Sequence, residues 1–398
     1  MKSRMLRSLA AAMALCAIAA GQATTWIATP QNPLRQLMPQ VQNGDTVLVA
    51  PGSYMGFRCD KGVTIRAQMP GTVTVNFAIN LLPSSCGCSC QLKDWSTDLL
   101  PPPGHDLHIS GIDFGGYQSI NVCFGAFRHF VRATGGRVTF DDCRIDRLQL
   151  RQTTAHLQGC DVTSISGPGI DAQQSNVTIV GGSVAGANVS NVFASVAPAP
   201  GIALEASRLQ LSHASVQGGD PGTTTQATPG LIASGASSTW VTDTTIAASG
   251  SGTCAVEATG VLRIDRSTLI GAGSGGGAAC STSPLGAPLT GINRQGPIEI
   301  GTMFEATMQG VAGDLQIFYG ATSLAGPIAL PLVDQPIWLT PSDLFFSQLG
   351  LADTNGASHF AFQVPPVVAL VGTEFWLQGV AGSTLPLQTT AVVGGLVR

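Results

Sequence analysis

An eight-residue pattern recurs along the chain and restricts its fold more than any other feature. Counted from Val138, apolar residues take the first, third and eighth positions, and a small residue or cysteine takes the sixth. The stretch "VTFDDCRI" (138–145) shows it, and "AHLQGCDV" (155–162), "VTIVGGSV" (177–184), "LQLSHASV" (209–216), "TWVTDTTI" (239–246) and "LRIDRSTL" (262–269) repeat it. "LHISGIDF" (107–114) is an upstream member with Ile112 in the small position. A second alternating stretch precedes most of these: "GIDAQQS" (169–175), "GIALEAS" (201–207), "GLIASGAS" (230–237) and "CAVEATG" (254–260). Alternation of period two signals strands. Two or three short strands per repeat, with anchors 17 to 32 residues apart, predict a β-solenoid whose turn loops absorb the length differences.

The solenoid begins with "NGDTVLVAPGSYMGF" (43–57) followed by "KGVTIRAQMPGTVTV" (61–75). With the coil pattern, these segments resemble the right-handed parallel β-helix, the pectate-lyase-like superfamily, over roughly residues 24–300. The resemblance implies an all-β chain built as a right-handed parallel β-helix. Just upstream, Leu34, Leu37, Met38 and Val41 recur at i, i+3, i+4 and i+7, which predicts a short amphipathic helix. A solenoid exposes its core at each end, so an N-terminal capping helix has a physical purpose there. The polygalacturonase branch of this fold would carry Asn-Thr-Asp, Asp-Asp, Gly-His-Gly and Arg-Ile-Lys segments. Asp141-Asp142 and Arg144-Ile145 only echo them, and Gly-His-Gly is missing, so that branch is not expected.

Residues 1–23 read as a signal peptide: Lys2, Arg4 and Arg7, an apolar run from Leu9 to Ala20, and a small-x-small end at Ala23. The run is too short for a transmembrane span. The expected location is therefore secreted, extracellular or at the cell surface. Loss of the leader leaves 16 basic residues against 23 acidic ones, a net charge of −7. Such a surface offers no basic stripe to phosphates, which argues against nucleic acid as a partner.

The pattern changes after residue 296. Residues 299–398 hold seven acidic residues and a single Lys or Arg, the terminal Arg398. Segments such as "DLQIFYG", "HFAFQVP" and "EFWLQGVAG" alternate between Gly, Pro and Asp punctuation. Trp338, Phe345, Phe346, Phe360, Phe362, Phe375 and Trp376 supply an aromatic core. The expectation is a small antiparallel β-sandwich over 297–398. It resembles a C-terminal module fused to large secreted bacterial proteins, through its "GTMF" opening and its "GTEFWLQ" strand. "GINRQGPIEI" (291–300) could instead close the last solenoid coil.

The stretch "RVTFDDCRIDR" (137–147) gathers the most charge in a chain with only 11% charged residues. Placed in register with its neighbours, its outward columns acquire partners. Position two stacks His108, Thr139 and His156; position four stacks Ser110, Asp141 and Gln158. Position seven stacks Asp113, Arg144 and Asp161; position nine stacks Gly115, Asp146 and Thr163. The candidate ligand-binding patch is thus His108, Asp113, Asp141, Arg144, Asp146, His156 and Asp161. Arg144, Asp141 and Asp146 are its candidate catalytic residues. Elimination from a uronic acid needs a base near the C5 proton and cationic help for the carboxylate, and Ca²⁺ would join only in such a lyase. The competing reading is an exposed Asp–Arg–Asp ladder of about 0–1 kcal/mol per pair that mainly sets register.

Nine cysteines remain after the leader, and an oxidising compartment favours disulfides. Cys254 and Cys280 are about one coil apart and make a disulfide candidate. Cys143 and Cys160 share the small inward position on adjacent coils, so they are either bonded or a buried thiol ladder. "CGCSC" (86–90) reads as a source of disulfides to Cys59 or Cys123 more than as a thiolate metal claw, so no metal is expected. "GAGSGGGAA" (271–279) follows a strand but lacks the Lys-Ser/Thr of a phosphate loop.

Two functions remain. The first is a secreted, non-catalytic scaffold that is glycan-binding or adhesive, with an extracellular polysaccharide or cell-surface component as partner and no cofactor. The second is a polysaccharide-active enzyme, a Ca²⁺-dependent polyuronate lyase, using the 108–161 patch. Fold alone does not choose between them.

Overall fold

The computed structural model describes residues 23–76, 96–116, 130–189, 197–222, 227–271, 279–281 and 289–398. The leader segment 1–22 and "CGCSC" lie outside them, as does most of the glycine run at 271–279.

Successive coils add strands to three parallel sheets of ten, nine and nine strands. Sheet I contains Asp106–Ser110, Arg137–Asp141, Thr154–Gln158, Asn176–Val180 and Arg208–Ser212 as consecutive neighbours. Sheet II contains Ile112–Gly116, Arg144–Ile145, Asp161–Thr163 and Ser183–Ala185. Sheet III contains Phe130–Thr134, Leu148–Arg151, Ile170–Gln173 and Ile202–Glu205. The chain runs through I, II and III in turn, so every strand pairs with its counterpart one coil away. This is a parallel β-solenoid.

The core follows from the period of two. Leu107, Val138, Ala155, Val177 and Leu209 form one inward column of sheet I. Ile109, Phe140, Leu157, Ile179 and Leu211 form the next, and none of the ten is more than 2% exposed. Pairing of Val138 with Leu107 and with Ala155 fixes the register expected from the repeat.

The corner between sheets I and II falls at position five of the repeat. Position five holds Gly111, Asp142, Gly159, Gly181, His213, Asp243 and Arg266 on seven successive coils, with φ between +44° and +69°. A left-handed residue turns the chain sharply without breaking the ladders, at a cost of about 1–2 kcal/mol for residues with a Cβ. The sixth residue then points inward, and Cys143, Cys160, Ala214 and Thr244 are buried there.

Gly182, at position six of its coil, has a second reason to be glycine. Its φ is +76°, and a Cβ would stand 2.0 Å from the Cys160 carbonyl oxygen. Gly135, with φ +66°, has open space where a Cβ would go. Gly182→Ala is therefore expected to cost about 2–3 kcal/mol and Gly135→Ala about 1 kcal/mol. Denaturant midpoints of the two variants measure the difference, and equal losses would refute the close approach.

The expected N-terminal capping helix is not shown: the segment forms only a single helical turn, Leu34–Leu37. Pro39 lacks the amide that would bond the Arg35 carbonyl, so the helix does not propagate. Leu34, Leu37, Met38 and Val41 are nonetheless buried in the solenoid core, which is what their spacing required.

One compact unit comprises Thr290–Arg398 together with Gly44–Thr46 and the end of the N-terminal segment at Thr25. Gly291–Gln295 pairs antiparallel with Met303–Gln309, which pairs antiparallel with Ala357–Gln363. "GINRQGPIEI" therefore contributes a strand to this unit and not to a solenoid coil. A four-stranded antiparallel sheet runs Leu344–Leu351, Leu315–Ala321, Glu374–Gly382, Gln388–Leu396. Phe346 lies within 13° of parallel to Phe360, Phe362 and Phe375. Phe304 meets Phe375 edge-on at 5.0 Å, an arrangement that favours the quadrupoles of both rings. Among the described residues no helix is long and apolar enough to cross a membrane.

Candidate functional site

The register of the charged patch is as the repeat requires. Thr139 stands opposite His108 and His156, and Arg144 opposite Asp113 and Asp161. The tertiary structure divides the seven residues between two sheets on either side of the left-handed corner. His108, Asp141 and His156 belong to sheet I and are 1%, 1% and 3% exposed. Arg144 and Asp161 on sheet II are exposed, with Asp113 and Asp146 half-buried beside them. The seven do not line one open groove.

The outer face of sheet I is covered along its middle. Ser110, Thr139, Gln158, Thr178, Gln210 and Ser212, all outward in the pleat, are buried as well. Burial, with a smaller contribution from the Arg137 cation, pushes His156 down to about 3 and keeps it neutral. Arg137 holds Asp106 through Nε and Nη2 at 2.5 and 2.6 Å. Burial still raises the Asp106 carboxyl, and the Arg137 charge and hydrogen bonds only partly offset it.

On sheet II, an ideal Cβ at Gly115 would fall 2.7 Å from Asp113 Oδ1, 3.3 Å from Asp146 Oδ1 and 3.4 Å from Arg144 Nε. Gly115 therefore leaves room for three charged side chains to meet. Asp113 Oδ1 accepts the Gly115 amide at 2.6 Å, and Asp161 Oδ1 accepts the Ser183 hydroxyl at 2.6 Å. Burial and then the Asp113 charge push Asp146 up to about 6, against the Arg144 guanidinium. Among the described residues Arg144 makes no ion pair within 4.0 Å. The expected Asp–Arg–Asp ladder exists as register, not as contact. Chemically, the cluster offers one exposed cation and one carboxyl that titrates near neutrality.

Calcium does not fit the cluster. The ion takes six to eight oxygens, whereas two carboxylates here face a guanidinium, and among the described residues no group of three or more metal-ligating side chains forms.

Sheet III carries charge outside the eight-residue repeat. Arg151 Nη1 and Nη2 bind Asp171 at 3.2 and 2.8 Å, with Arg147 3.8 Å away. The clue lay in the strands of this sheet, where Asp171 stands opposite Gln149 and Arg151 is the next outward residue along the same face. Trp240, on the outer face of sheet I, is half-buried between Gln210 and Arg263 in register.

Cys143 and Cys160 are buried free thiols, as is Cys59. Of the two alternatives for the stacked pair, the structure has the thiol ladder. Cys160 Sγ donates to the Phe140 and Gln158 carbonyls at 3.4 Å, and burial raises its pKa well above that of an ordinary thiol. The expected bond from "CGCSC" to Cys59 is likewise corrected, since Cys59 instead reaches the Lys61 carbonyl at 3.5 Å. Cys254 is disulfide-bonded, and the Cys280 side chain lies outside the described residues.

Against known protein families, curated proteins and solved structures, the chain matches none.

Proposed function

We propose that the chain is an exported, non-catalytic β-solenoid that binds an extracellular polysaccharide or a cell-surface glycan. The export signal, the right-handed pectate-lyase-like character of the coils and the sandwich form of the C-terminal unit belong to this proposal and rest on the sequence patterns. The observation that carries it is the parting of the candidate acid–base residues: His108, Asp141 and His156 are buried on one sheet, while Arg144 and Asp146 are on another. Enzymatic proton transfer needs its groups within hydrogen-bond reach of one substrate, and these seven have no common approach. A polymer laid across a parallel sheet meets one side chain about every 4.8 Å, which suits recognition by a solenoid without chemistry.

A second reading has one observation in its favour. The Asp146 carboxyl at about 6 beside an exposed Arg144 resembles an acid–base group with a cation for a uronate carboxylate. Incubation of wild type and Arg144→Ala with a polyuronate panel, with and without Ca²⁺, separates the two readings by ultraviolet absorbance of unsaturated products. No product from either protein is expected. Product from wild type that falls at least 10-fold in the variant would establish the lyase.

A further inference from the structure

The four-stranded antiparallel sheet of the C-terminal unit has two edges of unlike character. At one, eight of the nine residues of Gln388–Leu396 are buried, and the Gly394 carbonyl accepts a hydrogen bond from Arg294 Nη1 at 2.7 Å. At the other, none of the eight residues of Leu344–Leu351 is buried. Among the described residues this strand pairs on one side alone, with Leu315–Ala321. An open edge presents a row of backbone donors and acceptors, and proteins usually blunt such a row with lysine, proline or a bulge. The strand "LFFSQLGL" contains no charge and no proline. Its one register shift lies at the start, beside Ala321, so the ladder is regular from Phe346 to Leu351.

Side chains limit what can pair there. Phe346 turns inward and stacks on Phe360 at 5.1 Å. By alternation Ser347, Leu349 and Leu351 lie on the outer face, where Leu349 and Leu351 are 64% and 70% exposed. Their cross-strand neighbours are Ile317 and Leu315, and Leu315 is exposed as well. The outer face beside the open edge is therefore apolar. Acidic residues stand at both ends of the strand, Asp343 immediately before it and Asp353 two residues after it. Among the described residues neither makes an ion pair within 4.0 Å. The backbone amides of Ala357 and Asn355 donate to Asp353 Oδ1 at 2.9 and 2.8 Å and hold its carboxyl below the usual range, so it stays charged. Residues 290–398 carry seven acidic side chains against Arg294 and Arg398.

We infer that Leu344–Leu351 receives an extended segment of a partner protein as a fifth strand, apolar at alternate positions and with a lysine or arginine toward each end. The open main-chain groups supply hydrogen bonds to an extended backbone, and side chains select among such segments. Alternate apolar residues of the guest continue the surface of Leu315, Leu349 and Leu351, and its basic ends meet Asp343 and Asp353. A second copy of this chain fits worse. Antiparallel self-pairing about Gln348 or Leu349 keeps the outer faces together but brings Asp343 of one copy to the Asp353 end of the other. Like charges facing across strands destabilise the pairing. The inference is independent of the glycan reading.

The test is fluorescence anisotropy of the full chain with a labelled peptide, Lys-Thr-Val-Thr-Val-Thr-Val-Thr-Lys, and with its counterpart carrying glutamate for lysine. Wild type is expected to bind the lysine peptide about 10-fold or more tightly than the glutamate one, with the preference shrinking as salt rises. Leu349→Lys puts a charge beside the edge and is expected to weaken binding about 10-fold or more. Leu332→Lys, at an exposed leucine in the loop before Ile337–Leu339, should bind as wild type. Asp353→Asn should narrow the preference for lysine. Hydrogen exchange reads the added strand directly, since the lysine peptide should slow alternate amides of Leu344–Leu351. No binding by wild type up to about 1 mM peptide overturns the inference. Equal affinity for the two peptides overturns the basic ends, and Leu349→Lys binding as well as wild type overturns the site. A concentration-dependent dimer of wild type that Leu349→Lys abolishes gives the edge to a second copy instead. Matching melting temperatures across the variants show that each change in affinity belongs to the folded protein.

Discussion

Replacing Phe140 with alanine is expected to remove about 3–5 kcal/mol of stability, the usual cost of deleting a fully buried phenyl ring. Phe140 has no exposed surface and lies between Ile109 and Leu157 in the inward column of sheet I. Its coil cannot collapse onto the void independently, because hydrogen-bonded ladders hold it at strand spacing from both neighbours. Each coil of a solenoid is stabilised largely by contact with the adjacent ones. The loss should therefore concentrate there, and the urea transition should broaden or divide as well as shift. Phe140→Leu retains most of the volume and should cost less than about 1.5 kcal/mol. Urea titrations of the two variants by far-ultraviolet dichroism check this. An alanine variant with an unchanged midpoint would mean that the ring is not in the core.

Acid is expected to separate two opposed titrations in the charged region. Folded His156 has a pKa of about 3 against an ordinary value of 6.5. Between those values the unfolded chain binds a proton that the folded chain refuses, so stability falls as pH falls. One such group contributes about 1.4 kcal/mol per pH unit. Asp146 works in the other direction. Its folded carboxyl takes a proton near pH 6 and its unfolded carboxyl near 3.8, so in that window it adds stability as pH falls. Asp106, also raised by burial, acts in the same sense. Wild type should therefore show a shallow slope from pH 6 to 4. Asp146→Asn should be steeper there, and His156→Gln should invert the slope whatever its absolute stability. Urea midpoints at half-unit pH steps give the three slopes, and identical slopes in wild type and His156→Gln would contradict a neutral, buried imidazole.

Much of the solenoid was legible because its physics is local. A strand residue points to the opposite face from its neighbours, so Val138, Phe140 and Ile145 are recognisable as core from the sequence, and the stack of Asp113, Arg144 and Asp161 follows from the repeat. The left-handed corner at position five is not legible in composition, because Asp142, His213 and Arg266 carry no sign of left-handed backbone. Only the glycines at 111, 159 and 181 in the same column hinted at it. Apolar spacing alone extends the helix to Val41, and Pro39, with no amide to donate, ends it at one turn.

The sequence by itself determined which residues share a column, since register depends only on alternation and repeat length. Tertiary structure decided which outward columns meet solvent. His108, Asp141 and His156 point away from the core of their own coils and are buried all the same, which alternation along a strand does not determine. Tertiary structure likewise brings Arg58 and Asp98 together with Met38 around one cleft, although 60 positions separate the ends of that set.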